Sequence, residues 1–225
     1  MIGSVRNGLM VHRVSLPTPV AAYGFNEGSG TTSADSSGNG HTLTLNTTTW
    51  ATGTGHTSSG LTNTSATIGA SSAFTAPATA ITLMGWIKPL DLTAGTTKFA
   101  FGFIDTGGNT DVGIFTQRAD FGNPNVLQCD LRLGASLSAY HGTAMTVGTW
   151  THVALTYSGT TVIVYQNATQ MASASITGIV SPGDVFNVAG WNSAAYDTDV
   201  IIDDVRIFNT ALTQAQIVVA MNTAI

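Results

Sequence analysis

The chain has 225 residues, of which 43% are hydrophobic and only 8% charged, with a formal net charge of −5. Globular domains usually carry about 25% charged residues, so this surface is kept wet mainly by neutral Thr, Ser, Asn and Gly. The balance excludes intrinsic disorder, the acidic charge excludes a phosphate-binding surface and so a nucleic-acid partner, and the lack of an 18-residue apolar run excludes a membrane-inserted helix.

In chain order, residues 1–19 read as an arm. It holds Arg6 and Arg13 but no continuous apolar stretch, so it does not read as a secretory leader. Leu9, Val11, Val14 and Leu16 supply apolar side chains that could add a strand to another subunit or dock in its groove. Residues 20–225 read as one domain. Its first strand begins at 20–26, and the GSG and SSGNG segments that follow are turn chemistry, because Gly and Asn accept positive φ. Further strands are expected near 42–46, 65–69, 80–88, 98–104, 111–117, 126–133, 151–157, 161–166, 185–190 and 199–208. The nearly continuous apolar run 161–166 predicts a central strand, and Cys129, the single cysteine, reads as a small buried residue. One helix is expected at the end, where Thr213 and Gln216 form a capping box ahead of an apolar run. Many strands followed by one short helix predict an all-β fold: a jelly-roll sandwich of two antiparallel sheets.

Four segments in order carry a family resemblance. They are 20–30 with 35–40 (VAAYGFNEGSG, DSSGNG), 81–89 (ITLMGWIKP), 148–157 (GTWTHVALTY) and 202–213 (IDDVRIFNTALT). Together they resemble laminin G-like, concanavalin A-like jelly-roll domains of the type found in bacterial and phage proteins. Two departures stand out: Gln166-Asn167-Ala168-Thr169 replaces the family's Asn-Gly hairpin, and the arm has no counterpart. The resemblance implies that Trp86 and Trp150 are core residues. It also implies a structural Ca2+ joining the opening turn to the last strand, with Asp35, Asp203 and Glu27 as ligands. Calcium needs about six oxygens, and Glu27, Asp35 and Asn39 do lie in Gly-rich turns. The competing reading is that Asp35 caps an Asx turn, and that Asp203 or Asp204 accepts backbone or Arg206 hydrogen bonds. Alternation puts Asp203 on one face with Val205 and Ile207, and Asp204 on the other.

Sugars dock on exposed aromatics beside amide and hydroxyl groups. Trp191, Asn192 and Tyr196 are the expected glycan-binding residues, with Tyr140 and His141 as a second pair. Catalysis has little support. Glu27 is the sole glutamate, so the paired carboxylates of this fold's glycosidases are missing. The five histidines lack metalloprotease spacing, and His152, two residues after Trp150, reads as a hydrogen-bonded core imidazole. The expectation is a non-enzymatic phage virion protein of the tail or capsid surface. It would be made in the host cytoplasm and would contact other virion subunits and copies of itself, with host-surface glycans as the candidate ligand. The alternative is a bacterial extracellular carbohydrate-binding module, and a glycoside-processing enzyme ranks third.

Overall fold

The computed structural model describes residues 14–63, 69–93, 97–117, 125–191 and 196–225, with backbone alone for Gln117, Tyr196 and Asp197. The strands are β1 (Ala21–Tyr23), β2 (Thr32–Ser33), β3 (Leu43–Leu45), β4 (Thr49–Trp50), β5 (Leu61–Asn63), β6 (Ala70–Ala73), β7 (Ile81–Pro89), β8 (Thr97–Ile104) and β9 (Thr110–Gln117). They continue with β10 (Val126–Leu133), β11 (Ser136–Ala144), β12 (Thr151–Tyr157), β13 (Thr161–Gln166), β14 (Thr169–Ser175), β15 (Val185–Val188), β16 (Tyr196–Asp197) and β17 (Val200–Phe208). One sheet runs β14-β13-β12-β7-β17-β5-β4, with β1 also on β17. The other runs β11-β10-β9-β8-β15-β6-β3-β2. Pairing is antiparallel except for the short β16–β8 contact. The expected two-sheet jelly-roll sandwich with one C-terminal helix is therefore the observed architecture.

The main core lies between the sheets. Leu83, Ile87, Val153, Leu155, Val162 and Val164 face Phe101, Phe103, Ile114, Leu127, Cys129 and Leu131 across it. Cys129 is buried as expected, and burial pushes its thiol well above the ordinary range.

The chain ends in α1 (Gln214–Met221), which lies on the outer face of the first sheet. Leu212, Ile217 and Ala220 close a second core there over Met84, Ala154, Tyr165 and Phe208. This helix explains a correction. β13 is not central; it lies next to the edge strand β14. Its run is continuously apolar because Val162 and Val164 fill the main core while Ile163 and Tyr165 face the core beneath the helix. The capping box is present: Thr213 Oγ1 accepts the Gln216 N–H at 3.3 Å, and Gln216 Oε1 accepts the Thr213 N–H at 2.9 Å. Thr213→Ala should lower stability by about 1 kcal/mol, read as a lower thermal midpoint.

Two long strands escaped the sequence reading. β11 and β14 are sheet edges rich in small and polar residues, so neither shows a clear apolar alternation. The expected strand at 65–69 falls almost wholly outside the described residues. The β13–β14 hairpin keeps a two-residue turn, with Asn167 and Ala168 at φ 50° and 58°. Alanine thus holds the left-handed position that glycine usually fills.

Candidate functional site

Along β7, Leu83 and Ile87 enter the main core, which turns Thr82, Met84, Trp86 and Lys88 outward. The helix covers Met84 but not the far end of this face. There Trp86 stands opposite His152 of β12 on one side and opposite Asp203 of β17 on the other. Directly opposed residues share a face, so the three form one row. Trp150, just before β12, adds a second indole. Trp86 and Trp150 are both half-buried, which corrects their assignment to the core. Family position suggested burial; the alternation with Lys88 points outward and could have found them.

A β-bulge in β17 decides what the last strand contributes. Ile202 and Val205 both enter the main core, and the register slips between Asp203 and Arg206. Two residues must then face outward in succession, and Asp204 takes φ 49° to allow it. Simple alternation, which grouped Asp203 with Val205, fails here. Asp203 is fully buried, and Asp204 borders a cleft of about 300 Å³ with His56, Thr57, Trp86, Met221 and Asn222.

The loop between β4 and β5 folds onto this row. Its base is closed by the Ala51 N–H donating to the Gly60 carbonyl at 2.8 Å. Its tip is tied down by Asp203, whose Oδ2 accepts the N–H groups of His56 (2.7 Å) and Thr57 (3.1 Å), while Oδ1 accepts the Asp204 N–H (2.8 Å). Lys88 Nζ donates to the Thr54 carbonyl at 3.0 Å and lies 4.9 Å from the Trp150 ring, a cation–π distance. The His56 imidazole lies flat on Trp86, with centroids 3.7 Å apart and planes 14° apart. Trp86 in turn meets His152 edge-on at 5.3 Å.

The electrostatics follow from burial. Burial raises the Asp203 carboxyl to about 6 despite its three N–H bonds. Burial, with Arg206 and His56 adding repulsion, lowers His152 to about 3. His152 is only 1% exposed, and among the described residues neither ring nitrogen has a hydrogen-bond partner. It is not the satisfied core imidazole that was expected. Arg206 is engaged with the carbonyls of Ala220 and Thr223, and Asp204 Oδ1 accepts the Ile225 N–H at 3.0 Å.

The residues singled out from the sequence lie elsewhere or act differently. Trp191 is only 4% exposed and packs edge-on against Phe99 at 5.0 Å in a small cluster with Phe115 and Ile104. It is a wall residue with no face for a sugar, which corrects that expectation. Asn192 lies outside the described residues, as does the side chain of Tyr196. His141 Nε2 is 3.2 Å from Gln128 Oε1. Asp199 and Asp91 both hold Lys98 at 2.8 Å, and Lys98 is fully buried.

For calcium, Asp35 Oδ1 accepts N–H groups from Ala22 (3.0 Å) and Ser37 (2.9 Å), and Oδ2 accepts from His41 (3.0 Å). Despite partial burial, these hydrogen bonds hold its carboxyl below the usual range. Glu27 Oε1 accepts the Ala34 N–H at 2.7 Å. Asp35 and Asp203 thus face backbone donors in separate hydrogen-bonded neighbourhoods, a poor fit to a shared cation. Among the described residues no three His, Cys, Asp or Glu side chains converge as ligands. Of the arm, Leu9 and Val11 lie outside the described residues. Val14 is exposed, and Leu16 packs on the core beneath α1. Gln216 Nε2 donates to the Ser15 carbonyl at 3.1 Å.

A laminin G-like family model matches residues 58–218, and the chain belongs to that family, the concanavalin A-like lectin/glucanases superfamily. No curated protein sequence matches the chain. Among solved structures, the binding domain of Paraclostridial Mosquitocidal Protein 1 is similar with a TM-score of 0.71 at 14% identity, over 91% of this chain and 52% of that one. The receptor binding domain of botulinum neurotoxin type G matches with a TM-score of 0.69 at 12% identity, over 90% and 50%. The chain therefore spans about half the length of these two toxin domains. Domain 4 of AbnA, an extracellular arabinanase of Geobacillus stearothermophilus solved with arabinotriose, matches with a TM-score of 0.62 at 24% identity, over 90% of this chain and 98% of that one. These likenesses are of fold.

Proposed function

We propose that the chain is a non-enzymatic glycan-binding domain whose site is the cleft beside Trp86, Trp150 and His56. The observation that carries this reading is the pair of half-buried indoles on an outward sheet face, bordered by hydroxyl, amide and backbone groups. A cleft of about 300 Å³ is at the small end of ligand sites and suits a short saccharide. The solved arabinanase domain, bound to arabinotriose, and the toxin binding domains lend support by analogy of fold. Asp203 and Asp204 are committed to backbone N–H groups, which favours binding over acid–base chemistry. Calorimetric titration with arabinotriose and a panel of neutral oligosaccharides tests this. Trp86→Ala should weaken binding at least about 30-fold, as for a central aromatic anchor. Equal binding by wild type and Trp86→Ala would overturn the assignment.

The proposed setting is the surface of a phage particle, as a tail or capsid-decoration protein packed among copies of itself. A surface this poor in charge creates little long-range repulsion between close neighbours. Recovery of the chain from purified particles, and loss of incorporation on deleting residues 1–19, are the expected results. The full-length match to Domain 4 of the arabinanase favours a second setting, a module attached to an extracellular glycan-processing enzyme.

A further inference from the structure

The face of Trp86 on which a sugar ring would stack is already occupied. His56 lies on it at 3.7 Å, nearly parallel, and His56 belongs to a loop whose tip, from Thr52 to Ser58, is mostly exposed. The bonds that hold the tip to the body are few: Asp203 to the His56 and Thr57 amides and the Thr57 hydroxyl, Lys88 to the Thr54 carbonyl, and the Thr52 hydroxyl to the Gly28 carbonyl at 3.3 Å. Further bonds lie within the loop, from Thr54 N–H and Oγ1 to the Ala51 carbonyl and from Gly55 N–H to the Ser58 carbonyl. A side chain at Gly55 would run into the Ser59 carbonyl, so the loop doubles back on itself and can move as one piece. Exposed segments with few anchors open at low cost.

Beneath lies His152, edge-on to Trp86, 1% exposed, with both ring nitrogens unpartnered. Buried polar groups are almost always hydrogen-bonded, so an imidazole left without partners marks a place where partners arrive. We infer that the Ala51–Gly60 loop is a removable cover, and that lifting His56 joins the face of Trp86 to the imidazole of His152 as a subsite for a neutral sugar ring. The ring's C–H face replaces the His56 imidazole on the indole. Its hydroxyls reach the neutral imidazole, which offers one donor and one acceptor. Of the charges around the subsite, Arg206 stays held by Ala220 and Thr223, and Asp204 by Ile225. Lifting the loop releases Lys88 from Thr54 and Asp203 from the two amides, one charge of each sign, which leaves no net charge to draw an anionic ligand over a neutral one. The ligand class rests on the glycan-binding reading; the cover rests on geometry alone.

The tests separate the two. Without ligand, diethyl pyrocarbonate should acylate the His152 ring roughly tenfold faster in His56→Ala than in wild type, read by mass spectrometry. An unchanged rate overturns the cover, whatever sugars do. With arabinotriose, His56→Ala should bind about tenfold tighter, since the competing ring is gone and more of the protein is binding-competent. His152→Leu should bind about tenfold weaker. Bound sugar should speed amide exchange at His56 and Thr57. Weaker binding by His56→Ala makes His56 part of the platform and overturns the inference. Unchanged binding by His152→Leu leaves that imidazole with a structural water only and also overturns it. If no neutral oligosaccharide binds either form while His152 acylation still accelerates, the glycan reading fails and the cover stands.

Discussion

Asp203→Ala is expected to lower the unfolding free energy by about 2–3 kcal/mol at pH 7, and by more at pH 5. The side chain is fully buried and accepts three backbone N–H groups, from His56, Thr57 and Asp204. Each buried donor left without an acceptor costs about 1–3 kcal/mol. The two loop amides can turn to water, and the buried carboxylate's own desolvation is relieved, so the net effect falls well below the full sum. The pH dependence follows from the carboxyl's rise from 3.8 to about 6. A group whose folded pKa is raised contributes stability fully present below 3.8 and lost as pH rises through 6. The wild type therefore gains from Asp203 on acidification and the variant does not. Urea denaturation at pH 7 and pH 5 should show the gap widening. A gap that narrows would mean that Asp203 is not held in this buried environment.

His152→Leu is expected to do the opposite and stabilise the protein. Two buried ring nitrogens lack partners, and replacing them with apolar atoms removes about 1 kcal/mol of desolvation cost at pH 7. Acid enlarges the effect. The folded imidazole titrates only near 3, held down by burial and by Arg206 and His56, whereas the unfolded one titrates near 6.5. A depressed histidine costs stability as pH falls from 6.5 towards 3, at up to about 1.4 kcal/mol per unit. By pH 5 the variant should lead by about 3 kcal/mol, or very roughly 10 °C in thermal midpoint for a chain of this size. A stabilised variant that also binds sugar more weakly would show a residue kept for its ligand. A destabilised one would show that the ring is satisfied in solution.

The segments that carried the fold were legible because local chemistry and burial agree in them. The apolar and alternating runs at β7, β10 and β12 and the Thr213–Gln216 box each point one way, and the three strands and the capped helix are seen in the structure. The edges β11 and β14 were not legible, since their place depends on the strand each one pairs with. The site was read least well. Trp191 has the composition of a sugar platform but packs against Phe99 and Phe115. Trp86 and Trp150 occupy family core positions but stand on the outer face.

By itself, the sequence determined the class of fold. Short apolar and alternating runs, turn residues and one capped helix admit a two-sheet sandwich and little else, because a strand that faces a core must show its apolar positions locally. Only the tertiary structure decided which residues make the site. Asp203 reaches His56 across 147 positions, and a bulge, invisible to alternation, turns both Asp203 and Asp204 outward. Chain neighbours set which face a side chain takes, but the closing of a loop over that face is a contact between distant segments, and no local pattern encodes it.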